Sequence, residues 1–331
     1  MVVAARLVSV AAFFVSACGG AEGSSASLFR QDAVADSKKT IAVDSAAIQI
    51  VLRARAFDRA DNLDSARILY EEAAHLAPDV KDWLLLRAAG VTRDKGERAK
   101  LLDGVTLPVA QDRKGPTDAI ALERTGDVTG AIAAYTALGD RLSAIRLRML
   151  VPTDTVRMLD ARKALIAFLE NLRSGQNARD GIALFDKVYK VPSPAENLTI
   201  ARAAYIGGSA TRVASSYAKA FASRLGTARD HFNDGLMLAR LDRDKEAMVE
   251  FGRVTQPASF AAAARYQSAR AMIALGQREP ARRALRAITT AYPQDTSAAS
   301  ALLLLADLAT DDNRDADARS AFLSAASRFP R

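Results

Sequence analysis

Cysteine is nearly missing from this chain of 331 residues: Cys18 is the only one, so no intramolecular disulfide can form and the core alone must hold the fold. Histidine occurs twice, at His75 and His231, and neither has a second His or a Cys at metal-ligand spacing, so no metal site is expected. Gly-x-Gly-x-x-Gly and Walker-type phosphate loops are missing, which removes the usual signals for a nucleotide cofactor, and no cofactor is expected. Aromatic residues make up 6% and no convincing run of alternating β-branched residues occurs, so a β architecture is not expected. Dense basic runs with interleaved aromatics are also lacking. The +8 formal charge is scattered among Asp and Glu along helices, and nucleic acid is not an expected partner.

What is present is alanine-rich helix. Half the residues are apolar, and they recur at helical spacing. From Ala201 to Pro330 one helical hairpin is written four times. The small residues opening its second helix are Ala214, Ala247, Ala281 and Ala318, at intervals of 33, 34 and 37. Around Gly276, the run Tyr266, Ala269, Ile273 and Leu275 gives way to a turn, because Gly accepts φ > 0 without a Cβ clash. Pro280 suits a first-turn position that needs no N–H, and Tyr292-Pro293 ends the second helix. The next copy has its turn at Asp311-Asp312-Asn313-Arg314 and its stop at Phe329-Pro330. Alanine lets the helices approach, and Phe251 and Phe322 are expected to fill the remaining space. Such a hairpin cannot bury both faces alone and needs a stacked neighbour.

Earlier in the chain, Phe57 to Pro78 and Leu122 to Leu138 repeat the plan, with turns at Asp61-Asn62 and Gly126-Asp127. Trp83 to Ala89 is a further helix, and the pattern weakens around 105–115. Ser193 and Glu196 have capping-box spacing. Residues 41–200 therefore read as irregular helical repeats and 201–331 as regular ones.

The N-terminus has the grammar of export. Arg6 supplies a positive n-region, and Leu7 to Val15 a short apolar stretch, too short for a comfortable bilayer span. Val15-Ser16-Ala17-Cys18 resembles a bacterial lipobox. That resemblance implies a signal peptide over 1–17, removal of which leaves a charge of +7, and acylation at Cys18. Gly19 in place of an Asp favours the outer membrane, facing the periplasm. Residues 18–40, rich in Gly and Ser at their start, read as a flexible tether. Asn197-Leu198-Thr199 matches a glycosylation acceptor, but a bacterial lipobox argues against its use.

The hairpins resemble tetratricopeptide repeats, whose period is about 34 residues. The expected fold is an all-α, right-handed superhelical solenoid of antiparallel hairpins. A lipobox followed by an irregular Ala-rich superhelix also resembles the N-terminal region of soluble-type lytic transglycosylases. The outer-membrane β-barrel assembly lipoprotein likewise pairs a lipobox with such hairpins. The transglycosylase resemblance implies a catalytic Glu followed by Ser in a later domain, and no Glu here precedes Ser. No catalytic residue is assigned. Paired carboxylates such as Glu71-Glu72 and Asp311-Asp312 point apart and sit in no evident cleft, and Glu123 and Glu279 are expected to stay solvated and ionised. The expectation is a membrane-anchored scaffold binding a protein partner or a peptidoglycan glycan. Alternatively, the chain is the front of a transglycosylase whose catalytic part lies elsewhere, or an assembly lipoprotein.

Overall fold

A computed structural model describes residues 45–150 and 154–329. The expected signal peptide, the Val15-Ser16-Ala17 approach, Cys18 and the tether lie outside the described residues. Among the described residues every regular element is helical, and the fold is an all-α solenoid of hairpins. Two compact units divide the chain after Arg148.

The first unit contains α1 (Ser45–Arg59), α2 (Leu63–Leu76), α3 (Lys81–Val91), α4 (Lys95–Asp103), the single-turn α5 (Pro108–Gln111), α6 (Lys114–Arg124), α7 (Val128–Ala137) and α8 (Arg141–Arg148). Helices α1 and α2 pack as one hairpin and α6 and α7 as another, with α3 contacting both α2 and α6. The two hairpins are copies offset by 65 positions. Tyr70 donates to Asp58 Oδ2 at 3.4 Å, and Tyr135 donates to Glu123 Oε2 at 3.0 Å. Burial pushes both phenols up to about 12. Glu123 corrects the sequence expectation. It is half-buried, and Arg146 holds it at 2.6 Å, with its carboxyl below the usual carboxylate range. It is ionised, but by ion pairing rather than by free solvation.

The second unit contains α9 (Thr155–Glu170), α10 (Gly175–Val188), α11 (Pro194–Gly207), α12 (Ala210–Ala222), α13 (Ala228–Arg240), α14 (Asp244–Gly252), α15 (Ala258–Ala274), α16 (Arg278–Ala291), α17 (Thr296–Asp311) and α18 (Asp315–Arg328). The four hairpins α11/α12, α13/α14, α15/α16 and α17/α18 are the four copies read from the sequence. Ser193 and Glu196 form the expected capping box at the start of α11. Asn197 is buried and donates to the carbonyls of Pro192 and Ser193, so its side chain is closed to modification.

The hairpin turns share one device. A single left-handed residue follows the first helix: Asp61, Gly126, Gly208, Asp242, Gly276 or Asn313. The next N–H then bonds the carbonyl five residues back, as from Arg243 to Leu238 at 2.9 Å and from Gln277 to Met272 at 2.8 Å. This 6→1 bond satisfies a helix-end carbonyl and reverses the chain. Only Gly, Asp and Asn occupy the position, the residues that tolerate φ > 0 best.

Buried alanines such as Ala201, Ala214, Ala247, Ala264, Ala281 and Ala301 bring the helix backbones together, while Tyr217, Phe251, Leu285 and Ile288 fill the space between. Phe322 does not fill space as expected. It is 44% exposed, beside Leu323, because no described helix packs on that face of α18.

Candidate functional site

The expected hairpin turns explain why α12, α13 and α14 lie side by side, with α13 in contact with both neighbours. A cleft of about 370 Å³ opens along α13 between α12 and α14. Its apolar wall is Ala214, Ala218, Phe221 and Ala222 from α12, Leu238 from α13 and Val249 from α14. Its polar lining is Asp234, Arg243, Glu246, Glu250 and Arg253.

Most of these charges are spent on one another. Arg243 donates to both oxygens of Glu246, at 2.7 and 2.6 Å. Arg253 donates to Glu250 Oε1 at 2.7 Å, and His231 Nδ1 lies 2.7 Å from Glu250 Oε2. The imidazole stacks on Phe221, with ring centroids 4.1 Å apart. His231 thus packs against Phe221 and Glu250 of the cleft wall, whereas His75 is exposed on α2.

Asp234 is different. It is 4% exposed, and its Oδ1 is buried with no hydrogen-bond partner among the described residues. Burial, then the charge of Glu250, pushes its carboxyl up to about 7. An unpaired buried carboxylate is costly, so the proton is retained close to neutral pH.

The repeat register shows how unusual this acid is. Counting eight residues back from each left-handed turn residue gives Ile200, Asp234, Ser268 and Leu305 in the second unit. Ile200 is fully buried, and Leu305 packs against a core cluster. The other three copies of the second unit therefore carry a small or apolar side chain where Asp234 stands, whereas in the first unit the same count from Asp61 reaches the exposed Arg53. In the first unit the same count from Gly126 reaches Asp118. There the carboxylate has a resident cation: Arg98 of α4, 1% exposed, donates from Nε to Asp118 Oδ1 at 2.6 Å and from Nη1 to the Thr92 carbonyl at 3.0 Å. Sequence reading missed Asp234 because a single acid on a helix looks like a surface residue. Aligning the repeats on their left-handed turns would have exposed it.

Gly235 supports the cleft from behind. A Cβ there would lie 2.6 Å from the Phe251 ring, so glycine is what lets Phe251 of α14 pack on α13 beside Asp234.

A second, shallower cleft of about 270 Å³ runs along α9 beside Glu196. Its carboxylates are engaged. Arg162 forks onto Glu196 at 2.6 and 2.7 Å, holding it near 2, and Thr199 donates to Glu170 at 3.4 Å. The carboxylates of Asp311 and Asp312, expected to point apart, converge on Arg278 Nη2 at 3.1 and 3.0 Å, so the pair is held by an ion-pairing arginine. Among the described residues no group of three or more His, Cys, Asp or Glu could hold a metal ion, and no helix is long and apolar enough to cross a membrane.

No curated protein matches the chain. Residues 263–295 match the tetratricopeptide repeat, a span that takes in the second half of α15, the Gly276 turn and α16. With the hairpin register on either side, this makes the chain a tetratricopeptide-like helical-repeat protein.

Proposed function

We propose that this chain is an exported scaffold of the cell envelope, lipid-anchored through Cys18 at the outer membrane, whose helical repeats hold a protein partner. The observation that carries the binding role is the Asp234 cleft: a buried acid lines it, and its Oδ1 has no hydrogen-bond partner among the described residues. A scaffold presents groups that are unsatisfied until the partner arrives, and concave sites with a few convergent polar groups are where ligands seat. The lipobox supports the anchor, and stacked hairpins with a tetratricopeptide repeat support protein binding over catalysis.

The test has two arms in the native cell. Metabolic labelling with a fatty-acid analogue should mark the wild type and leave Cys18→Ser unlabelled. A photo-reactive residue at the exposed Val249 should give one discrete protein adduct, and the adduct should be lost in Asp234→Asn. Equal labelling of both forms would remove the anchor. Pelleting with purified sacculi, with no protein adduct, would replace the protein partner by a glycan.

A further inference from the structure

The geometry points to an arginine side chain of the partner protein as the occupant of the Asp234 cleft. This rests on the scaffold reading above and names the group that such a partner inserts. Three features of the fold converge on it.

First, the register-equivalent acid already binds a guanidinium. Asp118 is reached by Arg98 at 2.6 Å, whereas Asp234 lines the cleft and its buried Oδ1 has no hydrogen-bond partner among the described residues. Second, the cleft has a charge to offer. Arg243 balances Glu246 and Arg253 balances Glu250, so ionised Asp234 leaves the lining with one uncompensated negative charge. Third, the α12 alanines, Leu238 and Val249 give an apolar wall for the aliphatic stem of an arginine, beside a Phe221 ring that is itself stacked between Tyr217 and His231. A guanidinium stacks on aromatic faces and keeps its charge when buried, whereas a buried ammonium sheds its proton more readily. The second unit already uses that pairing: Arg162 lies 4.9 Å from the Tyr189 ring centroid and Arg229 5.4 Å from that of Phe260.

Arrival of a cation favours the ionised form of Asp234, so binding strengthens as pH rises through neutrality and releases a proton. The groups around Asp234 are accounted for. Glu246 and Glu250 act from α14, Arg243 and Arg253 from its two flanking cap positions, and His231 and Asp230 stand on the same helix as Asp234. Tyr217 of α12 is committed to Asp230. On α15, Arg265 lies over Tyr292 and Arg270 bonds Gln267, so neither is directed at Asp234.

The test uses the full chain and small probes, so it needs no partner. A failure here leaves the scaffold reading standing on its own cross-linking result. Nα-acetyl-arginine methylamide is titrated at pH 8 while the Asp234 carboxyl carbon is followed by NMR. At saturation the Asp234 midpoint should fall by about one pH unit or more. Binding should weaken about tenfold in Asp234→Asn, a near-isosteric change, and about tenfold in Ala218→Leu, which fills the cleft from an exposed position. An unmoved midpoint, or equal binding by wild type and both variants, overturns the assignment. n-Butylammonium binding as well as the arginine probe overturns the preference for guanidinium. n-Propylguanidinium binding where the blocked amino acid does not would assign the cleft to a free guanidinium compound rather than to a protein.

Discussion

Asp230 and Asp234 stand one helical turn apart on α13, both buried, at 2% and 4% exposure, and titrate in opposite directions. Burial raises both. At Asp230 it is more than offset by Arg202, which forks onto the carboxylate at 2.8 and 2.7 Å, and by Thr227, whose N–H and hydroxyl both donate, so the group is held near 2. At Asp234 the more distant charges of Arg243 and Arg253 offset it only in part, Glu250 adds to it, and the group is pushed up to about 7. Asp230 anchors the start of the helix through a capping box with Thr227, which leaves Asp234 as the group free to act.

Asp234→Asn should stabilise the chain at pH 8 and do little at pH 4. A carboxyl raised from 3.8 to about 7 on folding contributes stability that is complete below pH 4 and is lost as pH rises through 7. At 1.36 kcal/mol per unit the loss is on the order of 4 kcal/mol. Urea denaturation of wild type and variant from pH 4 to 8 checks it: the curves should converge at the acid end and separate toward the alkaline end. Parallel curves would mean that Asp234 finds a partner in solution.

Asp230→Ala should have the opposite sign. It strands the Tyr217 hydroxyl, which donates to Asp230 Oδ1 at 3.0 Å, and leaves Arg202 unpaired, for a loss of about 3 kcal/mol at pH 7. A depressed carboxyl stabilises above its unfolded value, so the wild-type advantage should fade as pH drops from 4 through 2. Thermal melts monitored by far-UV dichroism over that range measure it.

Gly235→Ala pits helix propensity against packing. In an unobstructed helix interior alanine gains about 1 kcal/mol over glycine. Here the new methyl meets Phe251 at 2.6 Å, and overpacking of that kind costs about 1–3 kcal/mol, so the variant should be less stable. Gly235→Ala combined with Phe251→Leu should recover part of the loss, as a double-mutant cycle would show. A stabilised single variant would place Phe251 elsewhere.

Incubating the chain with purified sacculi should release no soluble muropeptides above a heat-killed control. Hydrolysis by the two-carboxylate route needs a protonated acid facing a second, free carboxyl across the sugar. Asp234 carries the proton, but Glu246 and Glu250 beside it are both tied to arginines. Release detected by mass spectrometry, and lost in Asp234→Asn, would make the cleft an active site.

The hairpin architecture was legible in the sequence because it rests on local rules. A helical stripe of alanines, a left-handed residue and an aromatic–Pro stop each act within a few residues, and together they place the Gly276 and Asn313 turns without reference to the rest of the chain. The capping box at Ser193 follows from a spacing of three. The cleft is not local. Whether Asp234 is a solvated acid or a buried one depends on α12 and α14 closing over it, and whether Glu250 is free depends on His231, 19 positions away, and Arg253. Phe322 and Phe251 occupy comparable second-helix positions, yet one is exposed and the other buried, because a neighbouring hairpin covers only Phe251. Sequence determined the repeat and its turns through backbone preference and periodicity. Tertiary stacking decided which charges meet, because desolvation and pairing arise only when separate helices are brought together.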